Sequence, residues 1–325
     1  MPSPISATAP TRLAGTAPFF VVLNAGSGRD SADDKRAAID EVWGKAGRRY
    51  EIRTVSDPGE LPGAAEWAVG KAREHGGIVA AAGGDGTLNA VTQAVLGAGL
   101  PFAILPQGTF NYFGRTYGIP ADTARAATAL LDARIEPVQV GLLNGRAFLV
   151  NASLGLYPQL LEDREAYKQR YGRSRAVALF SGLITLLQQP RQLHLELVRD
   201  GATHRLRTPT LVVGNNALQL EQLGFDEVDT LKRGELVAMS PKPVGTLALY
   251  WMILLGALSR LGEAENVISF GFHRLIVQPR RSRGGRYKVA MDGEVSLLDA
   301  PLVFEISKHP LPLLVPRHVD PADRK

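Results

Sequence analysis

The residues best suited to chemistry lie in three glycine-rich turns: "NAGSG" (Asn24–Gly28), "GGDGT" (Gly83–Thr87) and "PQGTFN" (Pro106–Asn111). Glycine lets backbone N–H groups come close to a ligand and adopt φ > 0. A helix that opens just after such a turn adds its positive N-terminal field. Each turn alone also reads as an ordinary tight connection. Together on one edge, the three would form a phosphate cradle. Asp85 stands inside the second turn, where a phosphate would repel it unless a cation lay between them. It therefore implies Mg²⁺, bound directly or through water, with Asp85 managing either the metal or a reacting hydroxyl. Other chemistries lack their signatures. The chain has no G-x-x-x-x-G-K-[ST], no G-x-G-x-x-G after its first strand and no G-x-S-x-G, and its six histidines show no metal-ligand spacing.

The elements needed to position these turns are legible. Residues 18–24, 77–82 and 101–105 read as short apolar strands, 50–55 alternates like a strand, and 31–47, 62–75, 87–97 and 121–133 read as helices. This alternation predicts an α/β domain with a parallel sheet covered on both faces, and ligands in such sheets lie beyond the carboxyl ends of the strands. The second half differs. After helical stretches at 159–171 and 175–189 come short alternating runs at 193–198, 208–214, 235–240, 274–279, 286–291 and 302–307, which predict a mainly antiparallel β-sandwich. The expected organisation is a disordered leader (1–17), a nucleotide-binding α/β domain (18–140) and a β-rich substrate domain (141–307), with 308–325 packing back on the first domain.

Composition sets the outer limits. A length of 325 residues favours two domains, and the absence of cysteine excludes disulfides and thiolate metal sites. The 37 Lys and Arg against 32 Asp and Glu give a formal +5, which favours anionic partners. The first 17 residues lack the basic and apolar regions of a signal peptide. The longest apolar stretch, 244–259, falls short of the ~20 residues that span a bilayer and reads as a buried helix or one wall of an apolar groove.

In its motifs the chain resembles the diacylglycerol kinase catalytic-domain family of lipid kinases, which includes bacterial lipid kinases, sphingosine kinases and ceramide kinases. The resemblance rests on "NAGSG", "GGDGTLNAV", "PQGTFNYFGR" and "MDGE" (Met291–Glu294), in that order, and covers about residues 18–307. "GGDGT" alone is shared with NAD kinases and phosphofructokinases, so the resemblance implies a Rossmann-like first domain of that type. It further implies that Asn24, Ala25, Gly26, Ser27 and Gly28, with Gly83, Gly84, Asp85, Gly86, Thr87, Leu88 and Asn89, hold ATP phosphates. Thr109 and Asn111 match the G-T-x-N turn that also faces the nucleotide, and Ser56 falls near a nucleotide-contacting threonine of relatives. Glu294 matches the general base of bacterial relatives, with Asp292 assisting Mg²⁺ or orientation. In the sphingosine kinase branch the acid matching Asp85 is the base instead. The reading favoured here is Glu294 as base and Asp85 as organiser of the catalytic Mg²⁺.

The chain departs from the family in places. Ala90 stands where relatives carry Glu, and Tyr112 where they often carry Asp. "RGELV" (Arg233–Val237) lacks both aspartates of the segment that holds a structural Mg²⁺ in bacterial relatives, so that metal site is expected to be absent. "PRRSRGGRYK" (Pro279–Lys288) places five basic residues in ten and suits an anionic membrane surface. Aromatic residues are not interleaved as in a nucleic-acid stacking platform, so no nucleic-acid partner is expected. The expectation is an ATP- and Mg²⁺-dependent lipid kinase, cytoplasmic and peripheral to the inner membrane face, acting on a diacylglycerol or sphingoid-type hydroxyl. A homodimer is left open. The alternatives are a nucleotide-binding regulatory protein of the same fold and, ranked lower, an NAD kinase.

Overall fold

A computed structural model describes residues 11–12, 16–27, 31–108, 111–156, 158–159, 161, 192–199, 201–225, 227–242, 266–280 and 285–324. Gly28, Thr109, Asp226, the apolar stretch 244–259, positions 281–284 of the basic run and nearly all of the helices expected at 159–171 and 175–189 lie outside the described residues. The chain divides into two compact units, residues 1–140 with 307–325, and residues 141–306.

The first unit is built in the order β1 (Thr11–Arg12), β2 (Phe19–Asn24), α1 (Ala32–Lys45), β3 (Tyr50–Val55), α2 (Leu61–His75), β4 (Ile78–Gly83), α3 (Asp85–Val95), β5 (Phe102–Pro106), α4 (Tyr112–Thr116), α5 (Thr123–Leu131) and β6 (Ala133–Val138). Strands β3, β2, β4 and β5 pair in parallel. β4 and β5 are buried along their whole length, as strands covered on both faces must be. α1 starts with a capping box, in which the Asp34 N–H donates to Ser31 Oγ at 3.1 Å and the Ser31 N–H donates to Asp34 Oδ2 at 3.2 Å. Its Trp43 stacks on Phe19 with ring centroids 4.3 Å apart and donates from Nε1 to the Ala127 carbonyl of α5 at 2.9 Å.

This sheet is mixed rather than wholly parallel. Its order is β1-β6-β19-β5-β4-β2-β3, where β19 is the C-terminal strand Leu311–Pro316. β19 runs parallel to β5 but antiparallel to β6, and β1 is antiparallel to β6. The reason is local: Leu311 pairs with Val138, so the returning chain starts where β6 stopped and must run back along it. Leu311, Leu313 and Leu314 are fully buried there. Within the segment read as a leader, Thr11 and Arg12 form a short edge strand.

The second unit holds two six-stranded antiparallel sheets. Its strands in chain order are β7 (Gly141–Leu143), β8 (Arg146–Phe148), β9 (Asn151–Gly155), β10 (Leu193–Arg199), β11 (Ala202–Thr208), β12 (Thr210–Gly214), β13 (Leu236–Pro241), β14 (Val267–Phe272), β15 (Arg274–Pro279), β16 (Arg286–Met291), β17 (Glu294–Asp299) and β18 (Leu302–Ile306). One sheet is ordered β11-β10-β15-β18-β7-β8 and the other β14-β13-β12-β9-β16-β17. Both contribute to one core, with Phe148, Leu195, Leu275 and Phe304 from the first and Leu154, Val213, Val289 and Met291 from the second. In β10 the alternation is direct: Leu195 and Leu197 are buried, while Glu196 between them pairs with Arg280 at 3.2 Å.

Candidate functional site

In the first unit the glycine-rich turns leave the carboxyl ends of adjacent parallel strands and are bonded to one another. Asn24, the last residue of β2, donates from Nδ2 to Thr87 Oγ1 at 2.8 Å. The Gly84 N–H donates to Ser27 Oγ at 3.2 Å, and the Gln107 N–H donates to the Gly83 carbonyl at 2.9 Å. A methyl group at position 83 would meet the Thr87 side chain at 2.5 Å, so glycine there is what admits Thr87 to its bond with Asn24. A Cβ on Gly108 would lie 3.5 Å from Gly84 Cα and 3.7 Å from Asp85 Oδ2, which brings the third turn against the second.

The first turn is largely self-held. The Ala25 N–H donates to the Val55 carbonyl at 2.8 Å, and the Gly26 N–H to Asn24 Oδ1 at 2.9 Å. The bond to Val55 also brings the exposed Ser56 beside this turn along the chain. The second turn opens directly into α3, with Gly84 as N-cap and Asp85 as first helical residue. The first turn of any α-helix leaves N–H groups without intrahelical partners, and its field favours negative charge. Thr87 and Leu88 face inward at 2% and 1% exposure, while Asp85, Gly86 and Asn89 are partly exposed. Asn111 is buried in the left-handed region at φ 45°, and both atoms of its carboxamide are shut from solvent without a hydrogen-bond partner.

Sequence reasoning missed Lys35. It is 2% exposed, and its Nζ donates to the Ser27 carbonyl, so a cation is buried directly behind the first turn. The signal was present in α1. Lys35, Ile39 and Trp43 recur every four residues, and all three are buried on one helix face.

In the second unit "MDGE" is a tight hairpin. Met291 pairs with Glu294, and the two residues between them, Asp292 (φ 48°) and Gly293 (φ 90°), both take positive φ. That matches the favoured twist of a two-residue β-turn, for which Asp-Gly is a preferred pair. The Asp292 carboxylate accepts hydrogen bonds from the N–H groups of Leu149 (2.7 Å), Val150 (2.8 Å) and Asn151 (3.1 Å). Its own N–H donates to the Asn151 carbonyl at 2.9 Å. Asp292 thus anchors the hairpin to the segment entering β9. Glu294 opens β17 with an exposed side chain. Of the basic run, Arg280 pairs with Glu196 and Arg286 lies 3.9 Å from Asp299.

Among the described residues, no group of three or more His, Asp or Glu side chains could hold a metal by itself. Mg²⁺ commonly binds through one or two carboxylates plus substrate phosphates, and the single carboxylate of Asp85 beside three glycine turns fits that donor set. Two of the described acids near "RGELV" are engaged with neighbours. Glu227 accepts from Ser269 Oγ, and Lys232 donates to Asp229 at 2.8 Å, which lowers the Asp229 pKa. Among the described residues, no helix is long and apolar enough to cross a membrane.

Known proteins resemble the chain over the segment that carries these turns. The model of the diacylglycerol kinase catalytic domain matches residues 18–143. A Pseudomonas aeruginosa (strain UCBPP-PA14) protein named "Probable lipid kinase YegS-like" is 36% identical over 130 residues, covering 39% of this chain and 42% of its own. A diacylglycerol kinase of Bacillus subtilis strain 168 is 30% identical over 146 residues, covering 44% of this chain and 47% of its own. The chain thus spans somewhat under half the length of these relatives. The crystal structure of a diacylglycerol kinase from Bacillus anthracis strain Sterne superposes with a TM-score of 0.65 at 18% identity, over 94% of this chain and 98% of that one, a likeness of fold. Residues 18–143, which contain all three glycine turns, are thus similar to the diacylglycerol kinase catalytic domain.

Proposed function

We propose that the protein is an ATP- and Mg²⁺-dependent lipid kinase that transfers the γ-phosphoryl group to a lipid hydroxyl, on a diacylglycerol or sphingoid-type acceptor. One observation carries the reading: three glycine turns bonded to one another at the carboxyl ends of adjacent parallel strands, with Asp85 at the mouth of α3. The first turn of α3 supplies backbone N–H groups to the phosphates. Asn24, Ser27 and Lys35 hold the neighbouring turn in shape, since their bonds run to Thr87, Gly84 and the loop backbone. Asp85, together with the substrate phosphates, would hold Mg²⁺, which would supply charge neutralisation for the transferring group. An alcohol is a weak nucleophile at neutral pH. Glu294 takes the proton of the lipid hydroxyl as its oxygen bonds the γ-phosphorus, and ADP departs with the bridging oxygen. Such a base contributes about 10²–10⁴-fold. Asp292 fixes the hairpin that presents Glu294.

The protein acts peripherally at the cytoplasmic face of an anionic membrane, and the basic run at 279–288 supports that placement. The test uses full-length protein, labelled ATP, Mg²⁺ and micelles containing either diacylglycerol or a sphingoid base. Wild type is expected to label one lipid, and Glu294→Gln to lower the rate at least ~10²-fold with ATP binding retained. Full activity in Glu294→Gln removes the base assignment. ATP binding without transfer to either lipid favours the second reading, a nucleotide-binding regulatory protein, which Ala90 and Tyr112 at family-divergent positions support.

A further inference from the structure

The third turn carries a side chain with no role so far. Both carboxamide atoms of Gln107, Nε2 and Oε1, are shut from solvent, and neither has a hydrogen-bond partner. The backbone of Gln107 is held in place by the bond from its N–H to the Gly83 carbonyl at 2.9 Å. A few residues on, the Asn111 carboxamide is in the same state. An unpaired buried donor or acceptor is costly, and native proteins keep few of them. Such a defect persists where a ligand relieves it, because sites are selected for binding at the expense of stability.

The chemistry of the orphaned atoms narrows the ligand. A phosphate oxygen only accepts hydrogen bonds, so it would satisfy Nε2 and leave Oε1 unpaired. A carboxamide needs a donor beside an acceptor. The N6–N7 edge of adenine offers that pair and is met by Gln or Asn through two parallel bonds, whereas the corresponding guanine edge presents two acceptors. Resting on the nucleotide site proposed above, we infer that Gln107 is a specificity-determining residue that pairs with the adenine edge of ATP rather than with its phosphate tail.

The test compares wild type with Gln107→Met, which keeps the side chain's length and removes both polar atoms. Affinities are measured by titration calorimetry for MgATP, MgGTP and Mg-tripolyphosphate, and the ligand-free melting temperature is recorded. Wild type is expected to prefer MgATP to MgGTP. Gln107→Met should raise the MgATP Kd roughly 10- to 30-fold, the worth of two lost hydrogen bonds, and erase that preference. It should leave tripolyphosphate binding within about 2-fold and the ligand-free melting temperature unchanged or higher. Unchanged MgATP affinity, equal weakening of tripolyphosphate, a retained ATP preference or a lower ligand-free melting temperature would each overturn the inference. If wild type binds neither MgATP nor tripolyphosphate, the nucleotide site itself fails, a separate result.

Discussion

Asp292→Asn tests whether the "MDGE" hairpin depends on charge rather than shape. Asparagine tolerates the left-handed backbone at φ 48°, so the turn itself loses little. The change falls on the three amides. In wild type one carboxylate oxygen accepts from Leu149 at 2.7 Å and the other from Val150 at 2.8 Å and Asn151 at 3.1 Å. If the side-chain oxygen of the introduced asparagine keeps the pair at Val150 and Asn151, its NH₂ meets the Leu149 N–H, donor against donor. One bond to a charged acceptor is lost, at about 1.5–3 kcal/mol, and the other two weaken to neutral strength. The expected destabilisation is about 3 kcal/mol, which for a unit of this size lowers the melting temperature by roughly 6–12 °C. Calorimetry of the full chain, with hydrogen exchange followed at residues 149–151, provides the assay. A variant within about 0.5 kcal/mol of wild type, with the Leu149 amide still protected, would refute the clamp.

Two further predictions concern the first unit. Ending the chain at Ser307 removes β19, where Leu311, Leu313 and Leu314 are fully buried and Val315 is 3% exposed. At about 1.5–3 kcal/mol each, their loss is comparable to the whole stability of a domain, so the truncated unit is expected not to fold. Retention of its cooperative unfolding transition would contradict this. Burial pushes the Tyr117 phenol well above its ordinary pKa, and the nearby Glu136 carboxylate adds to the shift. The folded state therefore holds this proton more tightly than the unfolded chain. The associated stability is complete below about pH 10 and is lost as pH rises further. Urea midpoints measured from pH 8 to 11 should fall less steeply in Tyr117→Phe than in wild type, and parallel curves would exclude Tyr117 as the source.

The parts of the fold read correctly from sequence were those whose signal is local. Strands β2, β4 and β5 are unbroken apolar runs, and the strands at 193–198, 274–279 and 302–307 alternate cleanly. β11, with exposed Thr203, His204, Arg205 and Arg207, reads as a polar loop because it is an edge strand with little to bury. β6, with Arg134, Glu136 and Pro137, is hidden for a related reason, since its strand state comes from pairing with residues far along the chain. The site divides the same way. The glycine turns and "DGE" are visible as short strings, but the partners of Asp292 are 141 to 143 residues away in sequence. Gln107 looks like any polar turn residue until its surroundings leave both carboxamide atoms unpaired.

Because β19 lies between β5 and β6, the first unit is split in sequence around the other unit. During synthesis, residues 141–306 leave the ribosome as one uninterrupted block before the strand that finishes the earlier-started unit has been made. At about 5–20 residues per second, that block alone takes roughly 8–33 seconds. Through that interval the edge of β5 that β19 will pair with is uncovered, an open seam for chaperones or for strand exchange with a neighbouring nascent chain. The unit begun first is therefore the one completed last.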